Sequence, residues 1–93
     1  MSKEKDVANK IVEEVRSGFE DIKRALEKLN GNYDASLVSH IDTRLMTDGA
    51  ALLRAARYLS GDPVYEETIG EHRKYEARLI SIKSNHKNKI TSK

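Results

Sequence analysis

Acidic and histidine side chains crowd one stretch of the chain, Glu66-Glu67-Thr68-Ile69-Gly70-Glu71-His72, with Glu76 one turn further on. Glu67 with Glu71, and His72 with Glu76, are spaced so that in a helix each pair lies on one face, offering the oxygen and nitrogen donors that a metal ion takes. The Glu-x-x-His spacing of di-iron helical bundles is missing, because Ile69 stands where its glutamate would be. Acids also gather in the first turns of a helix because that end carries partial positive charge. The simpler reading prevails, and neither a metal nor any other cofactor is expected; a metal-dependent helical-bundle enzyme using Glu67, Glu71 and His72 stands as the last of the alternative functions.

Ser36 and His40 would share a helix face, as a nucleophile and its base must. Hydroxyl catalysis also needs a dry pocket and donors for developing charge, and nothing around these residues supplies them. Ser36 reads instead as part of a helix start. The other histidines, His72 and His86, lie two heptads apart on one stripe, about 21 Å along an axis rising ~1.5 Å per residue. That separation excludes a shared site. His72 reads as a boundary residue, with a partly buried, pH-sensitive contact as the sharper alternative. No enzymatic activity is expected.

Positive charge is concentrated late in the chain. Residues 1–70 carry ten Lys or Arg against thirteen Asp or Glu, whereas residues 71–93 carry seven against two. Arg73, Lys74, Arg78, Lys83, Lys87, Lys89 and Lys93 would attract nucleic-acid phosphates. They do not form one stripe: Lys74, Arg78 and Lys89 fall on one side of a helix, Lys83 and Lys87 on another. No Gly-rich phosphate loop, zinc finger or aromatic stacking motif accompanies them. Thr47-Asp48-Gly49 resembles the turn of a helix-turn-helix, but Ala50 to Leu59 offers only Arg54 and Arg57 to a groove. Nucleic-acid binding by a dimer through its basic C-terminal helix and tail is therefore the first alternative function.

The elements that must position these residues are helices. Charged residues are 34% of the 93, and aromatics are limited to four tyrosines and one phenylalanine, which favours helix over sheet. The absence of cysteine excludes disulfides and thiolate metal sites. The first ten residues are polar and no apolar run is long enough to cross a bilayer, so a soluble cytoplasmic protein with no membrane contact is expected.

The first helix is predicted over about residues 3–30. Ala8, Val12, Val15, Phe19, Ile22, Leu26 and Leu29 form its unbroken stripe. Ile11, Gly18 and Ala25 recur every seven residues beside that stripe and broaden it into a bundle face. Gly18 in mid-helix implies a close approach by another helix. Asn30-Gly31 ends this helix, and Asp34 caps a second over about 34–60, with Tyr33 and Val38 placed for a hydrophobic staple. The second stripe is Val38, Ile41, Leu45, Asp48, Leu52, Ala55 and Leu59. Asp48 stands at a core position, and cap chemistry at 47–49 suggests a kink or restart there.

Ser60-Gly61-Asp62-Pro63 starts a third helix over about 63–85. Its stripe of Tyr65, Thr68, His72, Tyr75, Leu79 and Ile82 is the wettest of the three, with Val64, Ile69 and Ile80 to its sides. Residues 86–93 read as a flexible basic tail. The fold class is thus an all-α, single-domain antiparallel bundle: a helical hairpin plus a third helix that seals poorly, completed by self-association. The expected function is a non-enzymatic helical interaction module, a small regulator, adaptor or chaperone-like protein. Val12, Val15, Phe19, Ile22, Leu26, Leu29, Val38, Ile41, Leu45, Leu52 and Leu59 would form its core and its interface, with a second copy or another protein as partner.

Overall fold

The computed structural model describes residues 3–91, the last three of them by backbone alone. The chain forms α1 (Lys3–Leu29), α2 (Ala35–Leu59) and α3 (Pro63–Thr91), with no strand among the described residues. Each helix touches both others, and the bundle is a rod of 59 × 20 × 18 Å. Asp21 meets His40 across α1 and α2, while Leu52 meets Tyr65 and Asp42 meets Lys83 across α2 and α3. Both pairs of neighbours in sequence therefore run antiparallel. No described helix is long and apolar enough to cross a membrane.

Local chemistry sets the helix ends. Asn30 and Gly31 adopt positive φ of 48° and 80°, turning the chain out of α1, and Gly61 does the same after α2 at 88°. Asp34 Oδ1 accepts from Leu37 N at 3.0 Å to cap α2. Asp62 Oδ1 accepts from Val64 N at 3.0 Å and Tyr65 N at 3.2 Å to cap α3, where Pro63 fills the first position without a wasted donor. Tyr33 stacks its ring on His86 of α3, centroids 3.8 Å apart. That contact ties the α1–α2 turn to the distal part of α3.

The stripes of α1 and α2 are buried along their whole length, with Leu26, Ile41 and Ala55 at 0% exposure. Every residue of the third stripe is buried as well, which corrects the expectation of a poor seal. Its wet members reach partners. Tyr65 Oη donates to Leu52 O at 2.9 Å, Thr68 Oγ1 to Val64 O at 2.7 Å, and Tyr75 Oη to Glu71 Oε2 at 2.5 Å. Amphipathic side chains thus bury their apolar bodies at little polar cost.

Two further expectations are corrected. α2 runs unbroken through Thr47-Asp48-Gly49. Thr47 Oγ1 donates back to Thr43 O at 2.9 Å, a bond made within a continuing helix, so its hydroxyl caps nothing. α3 continues to Thr91, beyond the predicted end at 85. Residues 92 and 93, and with them Lys93, lie outside the described residues, as does the Lys89 side chain.

α1 and α2 make the closest helix pair. Their flanks form two matched ladders in which each step of seven along α1 meets a step of seven back along α2. Ala25 shares a groove wall with Leu37, Gly18 lies under Arg44, Ile11 lines one groove with Ala51, and Glu4 lines another with Tyr58. Three of these four rungs set a Gly or Ala against a larger side chain, which lets the helices approach.

Candidate functional site

The acidic stretch of α3 is dispersed by the fold. Glu67 is exposed and 4.0 Å from Arg16, Glu71 accepts the Tyr75 hydroxyl, Glu76 is exposed, and His72 points inward to α2. Among the described residues no group of three or more His, Asp or Glu is arranged to hold a metal ion. His40 Nε2 lies 3.2 Å from Asp21 Oδ2 on α1, and both side chains are more than half exposed. Ser36 and His40 make no hydrogen bond to each other, and Ser36 stands in the first turn of α2 behind Asp34.

The basic residues of α3 do not converge either. Lys83 Nζ is 3.1 Å from Asp42 Oδ1 and clips α3 to α2. Arg78 and Lys74, with Lys23 of α1, border a groove shared with Glu27, Glu67 and Glu71, whose carboxylates offset their charge and oppose a phosphate. Arg73 and Lys87 are exposed on other sides of the helix.

What the fold does bring together is a buried polar cluster between α2 and α3. His72, 7% exposed, approaches Leu45 O through Nε2 at 2.8 Å, and its ring rests on Gly49, where an added Cβ would come within 3.3 Å of Cε1. Asp48, 8% exposed, leaves Oδ2 with no hydrogen-bond partner. Burial pushes its carboxyl pKa up, against the opposing pull of Arg44 and His72. Tyr75 is pushed up to about 12 by burial and by its hydrogen bond to Glu71. Thr68, fully buried, also accepts from Arg16 Nη1 at 3.1 Å, which joins α3 to α1. His72 and Thr68 are used in joining helices, Tyr75 bonds within α3, and Asp48 is left unpaired.

The surface is more telling. Met46 and Leu53 are 70% and 76% exposed, and Ile80 is 58% exposed. Met46 and Leu53 are two turns apart on one side of α2, and that side borders α3, because Asp42, one turn before Met46, holds Lys83. Ile69 and Ile80 are three turns apart on one side of α3, and Ile80 lies one turn before Lys83. Four apolar side chains thus flank one edge of the α2/α3 junction. Sequence reasoning set Ile69 and Ile80 aside as off-stripe and left Met46 and Leu53 unassigned. Their off-stripe spacing was the available signal.

Comparison with models of protein families, with curated protein sequences and with solved structures finds no match for this chain.

Proposed function

We propose that this chain is a non-enzymatic interaction module, a small helical adaptor, regulator or chaperone-like protein that docks a partner protein on its α2/α3 edge. The observation that carries the reading is the exposure of Met46, Leu53 and Ile80 on adjoining sides of two packed helices, with the half-buried Ile69 between them. Single exposed apolar residues need no explanation, whereas a contiguous group of them marks an interaction surface. The reading moves the interface away from the stripe that begins at Val12, because the chain's own helices bury that stripe.

Met46→Ser with Leu53→Ser tests it. Both side chains are mostly exposed, so stability should change by no more than about 0.5 kcal/mol per site. A photo-crosslinking residue at Ala50, between the two, should capture a protein partner from the native source. The double substitution should weaken that partner's binding by about tenfold or more. Unchanged affinity in the double variant, or no capture from position 50, overturns the proposal.

A further inference from the structure

We infer that a second copy of this chain packs on the α1/α2 seam, about a two-fold axis parallel to the helices, so that α1 of each copy lies over α2 of the other. This surface faces away from α3 and is separate from the α2/α3 edge, so the two proposals stand or fall independently.

The seam is open along its length. A groove of about 610 Å³ lies at its turn end beside Ala25 and Leu37. One of about 480 Å³ surrounds Arg44, and one of about 320 Å³ lies at the far end between Val7, Ala8, Ile11, Ala55 and Tyr58. The last is largely apolar, yet Val7 is 57% and Tyr58 40% exposed. An oily end on an otherwise charged face calls for a cover.

Charge decides what covers it. In its middle the seam carries Glu14 and Asp21 on the α1 side and His40, Arg44 and Arg54 on the α2 side, with Asp48 buried beneath; towards the ends the α1 side mixes Lys3 with Glu4, and Arg24 and Lys28 with Glu27. Asp21 and His40 already pair within the chain. Among the described residues Glu14, Arg54 and Arg44 make no ion pair, while the Arg44 guanidinium lies over Gly18 and attracts the buried Asp48. An acidic middle on α1 beside a basic middle on α2 is self-complementary when each α1 meets the other copy's α2.

The direction of the axis follows from the ladders. Asp21 pairs with His40 across the antiparallel helices, and counting from that pair sets Glu14 near the level of Asp48, ~6 Å from Arg44 and ~9 Å from Arg54 along an axis rising ~1.5 Å per residue. With the two-fold parallel to the helices, Glu14 of each copy falls between those two arginines of the other. The Val7 and Tyr58 ends then cover one another. With the two-fold perpendicular, α1 would lie on α1, and each apolar end would meet Arg24 and Lys28. The parallel axis also builds a central four-helix bundle with antiparallel neighbours, closed by an isologous contact.

Sedimentation of the full chain should find a dimer at micromolar concentration. Glu14→Arg and Arg44→Glu should each weaken the dimer by about tenfold or more, and an equimolar mixture of the two should restore it, with helical circular dichroism checking that each variant folds. Because the chain has no cysteine, Val7→Cys mixed with Tyr58→Cys supplies a second readout. Mild oxidation should give the mixed disulfide-linked dimer, while Leu53→Cys on the other edge should stay uncrosslinked. A monomer at high micromolar concentration, a mixture that fails to restore the dimer, or crosslinking through Leu53→Cys instead of the mixed pair would overturn the inference.

Discussion

His72 on α3 donates its Nε2 hydrogen to the carbonyl oxygen of Leu45 on α2, 2.8 Å away. A carbonyl only accepts, so this contact places a proton on Nε2. Gly49, one turn after Leu45, makes room: a Cβ at that position would stand only 3.3 Å from the ring's Cε1. A glycine that weakens α2 locally therefore lets α3 bond to its backbone. Beside this bond stands Asp48, buried and with one oxygen unpaired.

Asp48 makes stability depend on pH in a direction that can be worked out. Desolvation raises its folded pKa above the ordinary 3.8, while in the unfolded chain the carboxyl titrates normally. Above the folded pKa the ionised group opposes folding; as pH falls through that pKa toward 3.8, the folded state takes up the proton more readily and the opposition fades. Asp48→Asn keeps the shape and removes the charge. It is expected to be more stable than the parent at neutral pH by about 1 kcal/mol, the scale of a buried unsatisfied acceptor. The two proteins should converge on acidification. Urea unfolding at successive pH values reads this directly. A variant that is less stable at neutral pH, or an offset that does not change with pH, contradicts it.

Phe19 reports whether α3 seals the core within one chain. Its ring is 4% exposed and meets Tyr75 edge-on, centroids 5.3 Å apart. Phe19→Ala should cost about 3 to 5 kcal/mol, combining lost transfer energy with the cavity left behind. Chemical unfolding at a concentration low enough to keep the chain monomeric is the measurement. A loss below about 1 kcal/mol would mean that the ring stays wet until a partner covers it.

The helices and their caps were legible in the sequence because they are written locally. The α1 stripe, the αL residues Asn30 and Gly31, and the capping carboxylates of Asp34 and Asp62 act within one or two turns. The quality of the α3 seal was not legible, since the partners of Tyr65 and His72 are backbone carbonyls on another helix. Thr47-Asp48-Gly49 has the composition of a helix start, and packing against α3 overrides it. Gly18 did announce a close approach, although not that an arginine would make it. Of the candidate surfaces, Met46 and Leu53 stand off the α2 stripe in the sequence, but which side α3 covers is decided only by the fold.

Gly18 and Arg44 should be energetically coupled. A Cβ on Gly18 would overlap the Arg44 guanidinium, whose Cζ would be only 3.2 Å away. Alanine is the better helix former by about 1 kcal/mol, so Gly18→Ala gains propensity and at the same time displaces Arg44 from its seat on α1. In the parent the two effects should nearly cancel, leaving a change within about 0.5 kcal/mol. Once Arg44→Ala has emptied the seat, the same Gly18→Ala should stabilise by about 0.5 to 1 kcal/mol, because only the propensity gain remains. The difference between the two backgrounds is the coupling, read from urea unfolding of the parent, both single variants and the double variant. Equal effects in both backgrounds would show that Arg44 does not rest on Gly18, and would leave the glycine to be explained by contact with something outside the chain.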